Sequence, residues 1–161
     1  MRALTPVEAA LAFAIGGSVL AVFVPPFVRN LHASRLTEPL EGLQRLSARA
    51  AVLADNAPLS QAFPPSVGLT PSQVPRGELV TDPPGTWAHA SWRLLDFAID
   101  TPHAFSFEWS STNGADQSTY TATAHGDLDG DGVQSTFQIS GAVRPGSSPQ
   151  TLPLEVTREV E

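Results

Sequence analysis

Residues 4–28, LTPVEAALAFAIGGSVLAVFVPPFV, limit what this chain can fold into more than any other stretch. No charged side chain occurs from Ala9 to Val28, and a helix of that length can cross a hydrocarbon core about 30 Å thick. One carboxylate, Glu8, stands at its entrance, where burial in lipid costs about 3 kcal/mol. The fold therefore has to accommodate an apolar rod with an acid at one end, followed by a polar, acidic body.

A secretory signal would place a basic segment first, a short apolar core next and a small-residue cleavage site after it. Here only Met1-Arg2-Ala3 comes first, the apolar run is longer than such a core, and Pro25-Pro26 and Arg29 follow it. An uncleaved anchor fits better. Its orientation stays open, because Arg2 lies on one side and Arg29 and Arg35 on the other. Thr5-Pro6-Val7-Glu8 is a good helix start, with Thr as N-cap, Pro at the first helical position and Glu three residues after the Thr. The plainer account of Glu8 is thus a capping-box partner.

Leu4-Thr5-Pro6-Val7-Glu8, an apolar helix and then Pro25 resemble the N-terminal segment of type IV pilins and of type II secretion pseudopilins. The resemblance implies a leader, residues 1–3, cut between Ala3 and Leu4 by a prepilin peptidase, with methylation of the new N-terminus at Leu4. Counting from Leu4, Glu8 is fifth and Pro25 twenty-second, the places of the family's assembly glutamate and helix-distorting proline. Ala3 stands where the family usually has Gly, Leu4 where Phe is commonest, and Pro6 where an aliphatic residue is usual. The resemblance further implies that Glu8 neutralises the terminal amine of a neighbouring subunit inside a filament, where an unpaired charge is costly.

Ala10, Ala14 and Ser18 recur at every fourth position, a small-residue face that lets apolar helices approach closely. Pro25 and Pro26 each remove a backbone hydrogen bond, which predicts a kink or a melted turn there. Beyond Arg29 the character changes. Leu36, Leu40, Leu43, Leu46, Ala50 and Leu53 recur at three and four, with Glu38, Glu41, Gln44, Arg45 and Arg49 between them. That is an amphipathic helix with one buried face, restarted at Thr37 and ending near Asp55-Asn56.

Residues 57–86 carry seven prolines and predict a connecting loop with short turns. Strand patterns follow. Phe105, Phe107 and Trp109 alternate with Ser106, Glu108 and Ser110. Thr112-Asn113-Gly114 predicts a turn. Tyr120, Ala122 and Ala124 share one face of a Thr-rich strand, Val133 to Val143 reads as another, and a last one runs from Leu152 to Val156. Trp87, Trp92, Leu94, Leu95 and Phe97 are expected between sheet and helix. The fold class expected is α+β: a long kinked N-terminal helix packed on a C-terminal antiparallel sheet. Its parts would be the leader at 1–3, a transmembrane or filament-core half-helix at 4–28, an amphipathic half at 29–56 and a loop-rich globular domain at 57–161.

The stretch that suggests chemistry is Gly126-Asp127-Leu128-Asp129-Gly130-Asp131-Gly132. Three Asp at alternate positions ending in Gly match the first half of a calcium loop, with hard oxygen ligands around a tight turn. An EF-hand would need a bidentate Glu at the twelfth loop position, where Gln138 stands. The alternative is a hairpin turn in which Asp-Gly supplies positive φ. His32, His89, His103 and His125 are dispersed, and no nucleophile elbow, phosphate loop or HExxH occurs; an enzyme is not expected. The net charge of −7 and the lack of any basic run argue against nucleic acid. Without Cys there are no disulfides and no thiolate metal site.

The expected function is a structural subunit, major or minor, of a type IV pilus, held as a prepilin in the inner membrane before assembly and in a surface pilus after it. Its partners would be other pilin subunits, the prepilin peptidase, an inner-membrane assembly platform and the lipid bilayer. The alternatives are a pseudopilin of a periplasmic pseudopilus, or a membrane-anchored binding module with a calcium loop.

Overall fold

The computed structural model describes residues 5–8, 10–11, 13–15, 17–18, 21–22 and 36–157. By contacts the chain divides into two units, Met1–Leu36 and Thr37–Glu161. In the first, residues 6–8, 10–11, 13–15, 17–18 and 21–22 are helical. Its start has the capping geometry that Thr5 and Glu8 suggest. The Thr5 backbone N–H and hydroxyl donate to Glu8 Oε2 at 2.8 and 2.9 Å, and the Glu8 N–H donates to Thr5 Oγ1 at 3.3 Å.

The second unit is built around helix α1, Thr37–Asn56. Its period brings Leu43, Leu46, Ser47, Ala50 and Ala54 to one buried face, while Glu41, Arg45, Arg49 and Asp55 stay exposed. A 3₁₀ turn, Leu59–Gln61, leads to strand β1, Val67–Thr70, and the short helix α2, Ala90–Leu94. Then come β2 (Phe105–Thr112), β3 (Ser118–Gly126), β4 (Ser135–Val143), β5 (Gln150–Thr151) and β6 (Glu155–Thr157). All pair antiparallel in the order β1-β2-β3-β4-β5, with β6 also on β4.

Side chains alternate in and out along β2, β3 and β4, as period two dictates. Inward rows set large against small. Phe105 pairs with Gly126, Phe107 with Ala124, Trp109 with Ala122, and Tyr120 with Gly141. A Cβ at Gly126 would collide with the Phe105 ring and one at Gly141 with the Tyr120 ring, so these glycines leave room for the aromatics. Trp109 stacks on Tyr120 with centroids 4.8 Å apart, and Phe63 meets Tyr120 edge-on at 4.9 Å. A second aromatic group gathers Trp87, Trp92, Phe97 and Phe107. The body thus fills its own core.

This architecture corrects the α+β expectation of one long kinked helix lying on a sheet. The body is sheet-rich and only weakly α+β, although its 20-residue helix does start at Thr37 and end at Asn56, as expected. With Glu41, Arg45 and Arg49 exposed, that helix is amphipathic, and its buried stripe packs against the sheet. Among the described residues no helix is long and apolar enough to cross a membrane. That overturns the expectation of a single-pass inner-membrane protein. The kink expected at Pro25 and Pro26 lies outside the described residues, as do Ala3 and Leu4.

Smaller differences follow from packing. The proline-rich stretch 57–86 holds β1, which pairs with β2 through Val67–Trp109 and Thr70–Phe107. The last strand breaks in two around Pro153, which has no N–H to give a ladder. Leu94 is 49% exposed rather than filling the interface, whereas Trp87, Trp92, Leu95 and Phe97 are buried.

Candidate functional site

The β3–β4 connection carries the three alternating aspartates. Asp127 directly follows β3 and is only 2% exposed. Its carboxylate accepts the N–H of Gly130 at 2.8 Å on Oδ1 and the N–H of Gly132 at 3.1 Å on Oδ2. Asp129 Oδ1 accepts the Asp131 N–H at 3.1 Å, and Asp131 Oδ1 accepts the Val133 N–H at 2.6 Å. Gly130 and Gly132 adopt φ of 81° and 95°, a region that favours glycine. The chain thereby curls around its own aspartates, while Leu128, 4% exposed, anchors the loop in the core.

The curl brings one carboxylate oxygen from each of Asp127, Asp129 and Asp131 within 4.8 Å of one another. Like charges that close repel, and a cation between them relieves the repulsion. These three residues could hold a metal ion. Among the described residues no other set of three His, Asp or Glu is so placed. Gln138, at the twelfth position of an EF-hand count, is the fourth residue of β4, paired with Thr123 and Glu155. It belongs to the sheet ladder, not to the loop.

A neighbouring segment supports the loop from outside. The backbones of Arg76 and Asp127 form an isolated parallel β-bridge, in which the Gly77 N–H donates to the Asp127 carbonyl at 2.8 Å. Gly77 has φ of 68°, and a Cβ there would lie 3.5 Å from the Asp129 carbonyl oxygen. Sequence reasoning missed this support, since residues 76 and 127 have no local relation. An Arg-Gly pair amid prolines was the only mark.

Among the described residues the histidines join no such cluster. His89 caps α2, its Nδ1 accepting the Ser91 N–H at 3.2 Å. His103 is 1% exposed. Its Nε2 lies 3.1 Å from Asp82 Oδ2 without hydrogen-bond alignment, and its Nδ1 is 2.9 Å from the Phe105 carbonyl. Trp87 Nε1 donates to the same Asp82 oxygen at 2.8 Å. This buried cluster ties the end of the proline-rich stretch to β2. His125 lies on the outer sheet face, its Nδ1 3.1 Å from Thr136 Oγ1. Partial burial lowers its pKa below the ordinary value, opposed by the negative charge of Glu108. His32 lies outside the described residues.

Glu8 sits in the other unit, locked in the capping geometry with Thr5. The described apolar side chains behind it are open: Val7 is 77% exposed, Leu11 61% and Phe13 82%. Comparison with family models, curated proteins and solved structures gives no match.

Proposed function

We propose that this chain is a pilin-like structural subunit, matured by cleavage between Ala3 and Leu4 and joined to copies or relatives of itself through its apolar N-terminal segment. The observation that carries the reading is the capped helical start at Thr5 and Glu8, leading a run whose apolar side chains lie exposed. Exposed apolar surface of that kind marks a contact to be made. In the free chain Glu8 satisfies the helix start; on assembly its carboxylate meets the terminal amine of a neighbour, a pairing favoured in a low-dielectric core. Intact-mass analysis and filament preparation test this. The expected outcome is loss of Met1 to Ala3 with one added methyl, and no filaments from Glu8→Ala. A chain that keeps all three residues and never enters a fibre sinks the proposal.

A second feature supports a metal-binding role for the body. The hard oxygen donors at Asp127, Asp129 and Asp131 and their Asp-x-Asp-x-Asp-Gly spacing suit calcium over softer metals. Calcium there would fasten the β3–β4 loop. Titration with calcium should raise the melting temperature of the native chain and leave Asp127→Asn unmoved; no shift at millimolar calcium refutes the ion's identity.

A further inference from the structure

The outer face of the sheet ends in a cleft that the aspartate loop does not line. Its floor is hydroxylated. Thr119 and Thr121 of β3 stand beside Ser140 and Ala142 of β4, with Gln150 of β5 next along. The Thr121 and Ser140 hydroxyls meet at 3.2 Å across the strands. The turn after β4, closed by the Ser147 N–H on the Arg144 carbonyl at 3.1 Å, walls one side. The cleft has a volume of about 370 Å³.

Charge distinguishes this cleft from the rest of the surface. The chain carries net charge −7, yet among the described residues no Asp or Glu lines the cleft and Arg144 does. Arg144 Nε donates to Gln117 Oε1 at 3.2 Å, which holds the guanidinium at the rim; among the described residues its terminal nitrogens make no hydrogen bond, and a carboxylate fits them. Leu152, 59% exposed, lines the cleft as an apolar contact.

We propose that this cleft binds a hydroxyl-rich anion, specifically a sugar acid unit of an acidic polysaccharide. The threonine and serine hydroxyls both donate and accept, matching sugar hydroxyls. Arg144 takes the carboxylate, and Leu152 takes the C–H face of the ring.

The test is titration of the isotope-labelled full chain with digalacturonate, with neutral galactobiose and inorganic phosphate as separate arms. The expected result is saturable amide shifts centred on Thr119, Thr121, Ser140 and Gln150 with digalacturonate, weaker at high salt and much smaller with either control. Arg144→Gln should weaken digalacturonate binding about tenfold, as loss of a charge-assisted pair does. Thr121→Val, isosteric on the same strand, should weaken it with the fold unchanged by circular dichroism. Equal response to galactobiose or to phosphate, shifts centred elsewhere, no saturation, or an Arg144→Gln variant that binds as well would each overturn the assignment.

Discussion

Gly42 of α1 faces the Phe107 ring of β2, and Gly42→Ala tests the packing directly. A Cβ built there would stand 2.5 Å from Phe107 Cε1 and 2.6 Å from Cζ. Ordinary carbon contact is about 3.5–4.0 Å, so roughly 1 Å of clearance has to be found. Phe107 cannot easily supply it. The ring is fully buried, with Phe97 edge-on at 5.0 Å and Trp87 at 6.4 Å. Overpacking a filled core costs about 1–3 kcal/mol, while Ala in place of Gly in a helix interior returns about 1 kcal/mol. The net loss expected is up to about 2 kcal/mol, seen as a fall of up to about 8 °C in melting temperature. Gly68→Ala, with nothing within 4 Å of the new methyl, is the control and should leave the melt nearly unchanged. Adding Phe107→Leu to Gly42→Ala should show favourable coupling, because the smaller side chain vacates the contested space. A Gly42→Ala variant that melts above the parent temperature, by the gain that Ala brings to an uncrowded helix position, would refute the close approach.

Glu38→Ala should cost about 1–3 kcal/mol in urea denaturation, because its carboxylate accepts the N–H groups of Ala104 and Phe105 at 3.0–3.2 Å and their loss strands buried donors. Glu38→Gln, which keeps one oxygen, should recover part of that loss. The pH dependence at His125 has a definite sign. Its pKa in the fold lies below the ordinary 6.5, chiefly through burial, so the unfolded chain binds the proton more readily. The stability it contributes is complete above that value and declines as pH falls below it, and the His125→Asn variant should lose stability less steeply over that range than the parent. Ser47→Ala should lower the melting temperature modestly, since Ser47 Oγ holds the Tyr120 hydroxyl at 2.9 Å between helix and sheet. A melt identical to the parent would show that this contact adds nothing.

Much of the body was legible wherever the signal was local. Apolar residues at three and four from Leu36 onward mark a helix, and α1 runs over Thr37–Asn56. Phe105, Phe107 and Trp109 at alternate positions mark β2 and its inward face. The aspartate spacing marked a turn with metal-ligand chemistry, and the three carboxylates do converge. What misled was the balance of helix and sheet. The expectation gave the helix the leading part, whereas six strands make the body sheet-rich, and its helix, restarted at Thr37 as expected, takes its partners from that sheet. β1 was hidden among prolines, because a four-residue strand made by pairing with β2 has little pattern of its own.

By itself the sequence determined the local periods: where the backbone winds, where it extends, and where Asp-Gly lets it turn. These depend on neighbours a few residues apart, whose steric and hydrogen-bonding preferences act whatever the rest of the chain does. Only the tertiary structure decided that Glu38 would fasten the start of β2, that Gly77 would brace the aspartate loop from 50 residues away along the chain, and that Arg144 would stand over a hydroxylated cleft. Those pairings follow from strand register and core packing, in which each residue's partner is chosen by the shape of the whole sheet.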